Sequence, residues 1–230
     1  MKNLSWLAVV VGAHFALVSA QAATISGKIA YSKDAPKDKP IRMNADPYCA
    51  NANKANPATD ERVVVNPNKT LKNVFVYIKS GAKKGSAPTQ AVVFDQKGCV
   101  YHPHVIGVQV GQPFDIVNSD ATLHNVHSMA KKNAGFNMGM ATKGQKVTKT
   151  FSKPETMIKF KCDVHGWMTA YVGVVDNPYF AVTGDDGSFT LKDVPPGDYT
   201  IEAWHEKLKT KTATVKVAGA GDAKTVDISF

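Results

Sequence analysis

A cysteine, a histidine and a methionine lie within seven positions of one another, and each of these side chains can bind a soft or borderline metal ion. They are Cys162, His165 and Met168, with two residues between each pair. Thiolate and thioether sulfur suit copper in its reduced state, and imidazole suits copper in its oxidised state. Zinc fits less well, because its sites draw mainly on cysteine, histidine and carboxylate ligands. The segment therefore predicts a copper site.

A trigonal copper site needs one more histidine from elsewhere in the chain. His124, in the sequence Leu123-His124-Asn125-Val126, follows an apolar segment and supplies it. Taken singly, each of these residues is commonly part of a core or a surface. The signal is their joint occurrence at this spacing, and a site that holds another metal, or none, is the alternative.

These side chains must be positioned by β-strands. Ile158, Phe160 and Cys162 alternate with two lysines, which predicts a strand whose apolar face carries the thiol. The segment Tyr171–Val175 predicts the next strand, so the metal-binding residues after Cys162 lie on the loop between the two. Alternation on both sides of a Gly-Gln-Pro turn predicts a hairpin over residues 108–118.

Between Tyr101 and Val175 the chain resembles the cupredoxins, the blue-copper proteins that include plastocyanin, pseudoazurin and amicyanin. Members of that family place a histidine after a strand, and then a cysteine, a histidine and a methionine on one late loop. The resemblance implies that His124, Cys162 and His165 form a trigonal plane around one mononuclear copper ion. It also implies that Met168 is a weak axial ligand, on a short loop similar to that of amicyanin.

The same resemblance implies roles for neighbouring positions. Asn125 steadies the cysteine loop by hydrogen bonding, and His165 lies near the surface with Gly166-Trp167 as a docking face. Plastocyanin-like loops often carry proline where this chain has Asp163-Val164, which bears on loop rigidity and reduction potential but not on the ligands. A dinuclear copper centre of the oxidase type is disfavoured, because its loop needs two cysteines.

Outside this region the sequence predicts further strands and no amphipathic helix. β-branched or aromatic runs bounded by Gly, Pro, Asn and Lys clusters predict strands. These runs cover residues 25–31, 62–65, 74–78 and 91–94. The polar composition of residues 33–60 predicts a long surface loop, and that of residues 80–90 predicts a linker.

The last fifty residues resemble the carboxypeptidase regulatory-like, transthyretin-like β-sandwich. A turn at Gly184–Gly187, a strand, and then Pro-Pro-Gly-Asp before Tyr199 carry this resemblance. The usual opening strand of that sandwich occurs far upstream, at Ile25–Ile29. The chain is therefore predicted to be all-β, with two sandwiches that share the sequence discontinuously.

The predicted organisation has a cupredoxin Greek-key β-sandwich at residues 89–177. It is inserted into the second, small sandwich, which residues 23–88 and 178–230 form together. A sequential arrangement of the two modules is the alternative, and the periodicity of the sequence does not choose between them.

Composition and the N-terminus restrict the function classes. Of 230 residues, 43% are hydrophobic and 20% charged, which is typical of a folded protein. Residues 1–22 have the pattern of an export signal, with Lys2, an uncharged apolar stretch and Ala20-Gln21-Ala22 at the cleavage point. That stretch is shorter than the roughly 20 residues that cross a bilayer, so we expect a soluble periplasmic protein with no membrane span. Nucleic acid is not an expected partner, although the formal net charge is +9.

Three cysteines are an odd number for a chain exported to a compartment where disulfides form. Cys162 lies three positions before the loop histidine, so we pair Cys49 with Cys99 and keep Cys162 as the ligand. Two buried free thiols are the alternative. In the inserted arrangement, the bridge would clamp the two modules together.

Four further imidazole or thioether donors lie in one segment. They are His127, Met129, Met138 and Met140. They can form a second, labile Cu(I) site, or they belong to loops and rim. We expect His102 and His104 to be structural or exposed, and His205 and Glu206 to have packing or surface roles, because nothing near them offers a nucleophile.

The resemblance to cupredoxins implies single-electron transfer between redox partners, with no substrate turned over. The surplus of lysines favours an acidic protein partner, such as a cytochrome or an oxidase, and a merely solvated charged surface is the alternative. A periplasmic copper-binding protein for copper delivery or storage is the alternative. An enzyme is disfavoured, because the sequence lacks the additional histidine clusters of oxygen-activating and multicopper centres.

Overall fold

The structure, a computed structural model, describes residues 23–219 and 221–230. The predicted export signal, residues 1–22, lies outside the described residues. The described chain is nearly all β, as predicted, and its one helix is short. In chain order the elements are β1 (Ala23–Ala30), α1 (Pro47–Ala52), β2 (Phe75–Ser80), β3 (Val92–Lys97), β4 (Val100–His102), β5 (Val105–Gln109), β6 (Phe114–Asn118), β7 (His124–Ser128), β8 (Phe136–Met140), β9 (Lys146–Lys149), β10 (Glu155–Lys161), β11 (Thr169–Val175), β12 (Phe180–Val182), β13 (Ser188–Val194), β14 (Gly197–His205), β15 (Lys209–Val217), β16 (Ala223–Thr225) and β17 (Ile228–Ser229).

The first and last parts of the described chain form one β-sandwich, which we call the outer sandwich. One of its sheets has the order β13-β1-β16, with β17 also paired to β1, and the other has the order β12-β2-β14-β15. Alternate side chains of these strands point inward, so the apolar residues of both sheets meet in one core. Ile25, Val76 and Ile201 are fully buried in that core.

The middle of the chain forms a second β-sandwich, the inserted sandwich. Its sheets have the orders β4-β3-β6-β9 and β5-β11-β10-β7-β8. Aromatic rings fill the space between them, with Phe94 stacked on Tyr101 and on Phe114 and in edge contact with Phe160. Cys162 and Met168 belong to the same buried cluster, so the predicted site lies at one end of this core.

The chain enters and leaves the inserted sandwich through two connections that run side by side. One connects β2 to β3 and the other connects β11 to β12, and the backbone N–H of Gly85 donates to the carbonyl of Asp176 at 2.9 Å. In the pairing of the strands, β3–β11 form a sandwich that interrupts the chain of the outer sandwich between β2 and β12. The predicted boundaries, at residues 88/89 and 177/178, lie within these two connections.

The hairpin predicted over residues 108–118 is wrong. Strand β5 pairs in parallel with β11, whereas β6 pairs with β3 and β9 in the opposite sheet. Both strands are buried on both faces. The alternation of apolar and polar residues in the sequence therefore does not correspond to one buried and one exposed face of a hairpin. The side chain of Gln112 accepts a hydrogen bond from the Gln109 N–H and turns the chain from one sheet to the other.

Two local predictions also differ from the structure. Residues 62–65 form no strand, and Val65 makes only an isolated bridge with Leu71. Helix α1 was not predicted, although its start has the usual signals: the Asp46 side chain accepts from the Cys49 N–H, and Pro47 opens the first turn. Its six residues are too few for a helical period to show in the sequence.

Among the residues that the structure describes, no helix is long and apolar enough to cross a membrane.

Candidate metal centre

Three of the four predicted ligands converge at one buried point. Nδ1 of His124 lies 3.0 Å from Nδ1 of His165, and Sγ of Cys162 lies 4.0 Å from that same His165 nitrogen. The ligand atoms of all three residues lie within 4.8 Å of one another, and none of the three side chains is appreciably exposed. One thiol and two imidazoles around a buried point are a donor set that fits copper.

The inserted sandwich brings these residues together because β7 and β11 begin, and β10 ends, at the same end of one sheet. His124 begins β7, and the loop that carries Cys162 and His165 connects β10 to β11. Strand β10 pairs with both β7 and β11, so this loop emerges beside His124. The loop is closed by backbone hydrogen bonds from Cys162 N–H to Met168 at 3.2 Å and from Met168 N–H to His165 at 2.9 Å.

The sulfur of Cys162 is surrounded by hydrogen-bond donors. It accepts from the backbone N–H of His165 at 3.2 Å and of Asn125 at 3.4 Å. Burial raises the pKa of this thiol, but hydrogen bonds from His124 and from backbone N–H groups outweigh burial and lower the pKa. The site therefore favours the thiolate, which is the form that binds metal.

Asn125 holds the loop in the way that the resemblance implied. Its Oδ1 accepts the backbone N–H of Asp163 at 3.0 Å. Asp163 is itself held by Lys161 at 2.8 Å, which lowers the pKa of its carboxyl to about 2. These contacts fix the residue directly after the ligand cysteine.

Asp120 determines how the His124 ring is oriented. Its carboxylate lies 2.8 Å from Nε2 of His124 and also accepts the backbone N–H groups of Gly98 and Cys99, each at 2.8 Å. Burial lowers the pKa of His124, but the hydrogen bond to Asp120 and the contact with Cys162 outweigh it and raise the pKa to about 9. Because Nε2 is engaged by Asp120, Nδ1 is the nitrogen that faces Cys162.

The predicted exposed position of His165 is wrong. Its side chain is buried, because the segment that contains helix α1 lies over it. Nε2 of His165 lies 3.0 Å from the Asp46 carboxylate and 3.7 Å from Sγ of Cys49. We call this segment, residues 40–60, the cap.

A disulfide joins the cap to the inserted sandwich, and the predicted Cys49–Cys99 pairing is confirmed. Both cysteines are fully buried, with Cα atoms 5.6 Å apart. The Trp167 ring packs against the His165 ring at a tilt of 32°, with ring centroids 5.0 Å apart, and its indole N–H donates to the carbonyl of Cys99 at 2.9 Å. Trp167 is thus part of the packing under the cap rather than a freely exposed docking residue.

Met168 is fully buried at the end of the ligand loop, in the same hydrophobic cluster as Cys162. Its backbone closes the loop, as described above. Its role as an axial ligand stays a prediction.

The four residues of the predicted second site do not come together. Val126 pairs with Met138 and His124 with Met140, so both thioethers lie on the core face of the sheet. His127 points to the other face, where it lies 2.9 Å from the Asp163 carboxylate, and Met129 is largely exposed. Successive side chains of a strand point in opposite directions, which separates these donors.

The remaining histidines have structural contacts. His102 is exposed, and His104 is buried with Nε2 at 3.5 Å from the Glu206 carboxylate. Nδ1 of His205 accepts the backbone N–H groups of Lys207 and Leu208. Burial lowers the pKa of His205 to about 4.

Sequence reasoning missed Asp46 and Asp120, the two carboxylates that hold the imidazoles. Asp46 lies in the long loop that was predicted to be a surface segment, and nothing local indicates that the loop folds back over the site. Asp120 had a weaker but usable signal, because it lies four residues before His124 in an Asn-Ser-Asp turn. The Asp46–His165 contact joins residues 119 apart in sequence, and the Asp120–His124 contact depends on the local turn. Neither contact produces a periodic pattern in the sequence.

Comparison with known proteins gives partial likenesses. Residues 148–226 match the family described as polysaccharide lyase family 4, domain II, which is less than half of the chain. This match spans strands of both sandwiches and does not confirm the predicted transthyretin-like module. No curated protein sequence matches the chain significantly.

Similar solved structures include an amicyanin, a purple cupredoxin and a copper-containing nitrite reductase. A mutant of amicyanin in its oxidised form is 27% identical over 44% of this chain and 98% of that chain, with a TM-score of 0.34. A purple cupredoxin from Nitrosopumilus maritimus is 20% identical over 36% of this chain and 98% of that chain, with a TM-score of 0.31. A Cu-containing nitrite reductase from Thermus scotoductus is 22% identical over 43% of this chain, with a TM-score of 0.36. The chain spans only 25% of that reductase's length.

Proposed function

We propose that this protein is an exported type 1 (blue) copper protein that transfers single electrons between redox partners and turns over no substrate. The observation that carries the proposal is the buried cluster of Cys162, His124 and His165, with their donor atoms within 4.8 Å of one another. A thiolate and two imidazoles are the trigonal ligands of blue-copper electron-transfer sites. Met168, at the end of the same loop, is the proposed axial ligand.

The residues around the cluster support electron transfer because they hold it in one geometry. Bound copper would supply a one-electron couple. Asp120 and Asp46 fix the two rings, and the backbone N–H groups of Asn125 and His165 fix the sulfur. A rigid ligand set that suits both oxidation states changes little between them, and little movement favours fast electron exchange.

The proposed partner is an acidic redox protein, such as a cytochrome or an oxidase. The chain has 28 lysines and arginines against 19 acidic residues. Opposite charge on a partner increases the rate of encounter, and added salt screens that attraction. We therefore expect electron exchange with an acidic partner to slow as ionic strength rises.

Copper delivery or storage is a second candidate function, and the cap favours it. Asp46 and the Cys49–Cys99 disulfide cover the outer edge of His165, the edge where a redox partner would otherwise dock. A covered site suits a protein that holds an ion until the cap opens. Exchange of bound copper with a competing chelator within minutes would favour this function over electron transfer.

The test compares the Cu(II)-loaded wild type with Cys162→Ser by visible and spin-resonance spectroscopy. We expect the wild type to have an intense visible thiolate-to-copper band, and the variant to lose it. His102→Gln is the control, because it removes an exposed histidine outside the cluster and should leave the spectrum unchanged. Identical weak, ordinary Cu(II) spectra from the wild type and Cys162→Ser would contradict the proposal.

A further inference from the structure

A cleft of about 500 Å³ is lined by the cap and by both sandwiches. The cap contributes Arg42, and the inserted sandwich contributes Trp167 and Tyr171. The turn between β14 and β15, in the outer sandwich, contributes Glu206 and Lys207. Small-molecule sites are clefts of this size that combine apolar walls with a few polar groups. The cleft is therefore a candidate ligand site.

Positive charge predominates around the cleft. Five lysines and arginines line it, against three aspartates and glutamates. Arg62 is paired with Asp60. The other four cations are exposed and have no ion-pair partner among the residues that the structure describes; they are Lys39, Arg42, Lys159 and Lys207. A cleft surrounded by unpaired cations attracts anions.

His104 and Glu206 add buried polar groups to the lining of the cleft. Their side chains are only 7% and 4% exposed. Nε2 of His104 lies 3.5 Å from Oε2 of Glu206, which is longer than an ordinary hydrogen bond. The other carboxylate oxygen, Oε1, has no hydrogen-bond partner within the described part of the chain. Buried polar atoms are nearly always hydrogen-bonded, so we expect a donor for Oε1, and a bound ligand can supply it.

Aromatic side chains give the cleft an apolar wall. Trp167 and Tyr171 line it, and Trp204 packs against Tyr171 with ring centroids 4.9 Å apart. All three rings are partly exposed. Aromatic side chains pack favourably against other planar rings, face to face with an offset or edge to face. A ligand with a planar ring therefore fits this wall.

We propose that the cleft binds a small aromatic carboxylate that carries a hydroxyl group. The carboxylate lies among the exposed cations, of which Lys159 and Lys207 are two. The ring lies against Trp167 and Tyr171, and the hydroxyl donates to Oε1 of Glu206. Both polar contacts involve an ionised group, and such hydrogen bonds are stronger than those between neutral partners.

The cleft and the ligand cluster are neighbours that use different side chains. The ligand loop borders the cleft through Trp167 and Met168. The three converging side chains, His124, Cys162 and His165, do not line it. The proposal therefore does not depend on bound copper, and it is tested on the metal-free chain.

The experiment titrates the chain without residues 1–22 with 4-hydroxybenzoate, benzoate and phenol, by isothermal calorimetry. We expect 4-hydroxybenzoate to bind saturably at one molecule per chain. It should bind at least about tenfold more tightly than benzoate, which lacks the hydroxyl, or phenol, which lacks the carboxylate. Fluorescence is a second readout, because the two tryptophans of this chain, Trp167 and Trp204, lie in the lining and against it.

Matched variants test the two polar contacts separately. Lys159→Gln and Lys207→Gln should each weaken binding of 4-hydroxybenzoate several-fold, whereas Lys192→Gln, at an exposed position outside the lining, should not change it. Glu206→Gln should reduce the preference for 4-hydroxybenzoate over benzoate, because a neutral amide oxygen is a weaker acceptor than a carboxylate. A purely structural role of Glu206 would change the affinities for both ligands alike.

Three results would overturn the proposal. The first is no saturable binding of 4-hydroxybenzoate to the wild type at millimolar concentrations. The second is equal affinity of the wild type for 4-hydroxybenzoate and benzoate. The third is an affinity that Lys159→Gln and Lys207→Gln together leave unchanged, with circular dichroism showing that this double variant is folded. The copper spectra of the wild type and Cys162→Ser are recorded separately, so either proposal can fail without the other.

Discussion

Carboxylates engage the outer nitrogens of both imidazoles in the cluster. Asp120 holds Nε2 of His124 at 2.8 Å, and Asp46 holds Nε2 of His165 at 3.0 Å. Such partners fix the tautomer and orientation of a metal-binding histidine and increase its basicity. The ability of this cluster to bind metal should therefore depend on residues that do not touch the metal.

Asp120→Asn tests this dependence. The substitution keeps the size of the side chain but removes the negative charge that holds the His124 ring. We expect copper affinity to fall about 10- to 100-fold, which is the usual effect of losing such a partner. Competition with a chelator measures it, and Asp186→Asn, in a surface turn of the outer sandwich, is the matched control. Equal affinities of Asp120→Asn and the wild type would show that the carboxylate does not support the ring.

At this scale the sequence predicted the residues with distinctive chemistry and missed those with ordinary chemistry. Cys162 and His165 lie on one loop, and His124 is the first residue of a strand. The types and spacing of these residues therefore indicated a metal site. Asp46 and Asp120 are two of many aspartates, and only tertiary contacts distinguish them. The position of the cap over His165 could not be predicted either, because it also depends on tertiary contacts between distant residues.

At the scale of elements, the cap covers the ligand cluster and contacts His165 through Asp46 and Cys49. It contains only one short helix and otherwise little regular structure, so its position depends on a few specific contacts. The Cys49–Cys99 bridge is the covalent one, and it closes a separation of 50 residues.

Replacing both bridge cysteines, as Cys49→Ser with Cys99→Ser, should destabilise the whole chain. On the chain-entropy account, loss of a bridge of this length costs about 4 kcal/mol of unfolding free energy as an upper value. Chemical denaturation measures the loss. Cys162→Ser is the control, because it removes a cysteine without a bridge and should cost less. If the double variant unfolds at the same denaturant concentration as the wild type, the bridge does not stabilise the fold.

The turn between β14 and β15 should make the outer sandwich sensitive to acid. His205 is buried and neutral, and burial lowers its pKa from 6.5 to about 4. The unfolded chain therefore binds a proton in this range that the folded chain does not, and stability is lost as pH falls from about 6.5 towards 4. The full shift corresponds to about 3 kcal/mol, most of which is lost by pH 4.

His205→Asn isolates this contribution. The asparagine side chain can accept the same backbone N–H groups as Nδ1 of His205 but does not titrate. We expect the unfolding free energy of the variant to fall less steeply than that of the wild type between pH 6.5 and pH 4. Parallel pH profiles would mean that His205 is not the group responsible.

At the scale of the whole molecule, the two sandwiches are joined by more than the bridge. A separate apolar cluster lies between them, with Phe75 from β2 and Val105 and Val175 from the inserted sandwich. The predicted division of the chain rested on local strand patterns and turn residues, and these left the inserted and the sequential arrangement open. The same patterns could not show which strands pair, as the false hairpin between β5 and β6 demonstrates, because parallel pairing joins segments far apart in sequence.

Two glycines allow the sandwiches to pack closely. Gly173 of β11 pairs with Gly107 of β5, and the Phe75 and Phe180 rings of the outer sandwich lie against them. A Cβ at position 173 would come within 2.6 Å of the Phe75 ring, which is fully buried and has no room to withdraw.

Gly173→Ala should therefore separate the modules slightly and destabilise the chain by about 1 to 3 kcal/mol, the usual cost of overpacking. Gly184→Ala is the matched control, because a Cβ there meets nothing within 4 Å. Thermal unfolding measures both variants, and the midpoint of Gly173→Ala should lie clearly below that of the control. Since the cap bridges the modules above the ligand cluster, the same variant should also bind copper more weakly. Equal midpoints for the two variants would mean that the aromatic cluster does not hold the sandwiches together, and that the disulfide and the two chain connections suffice.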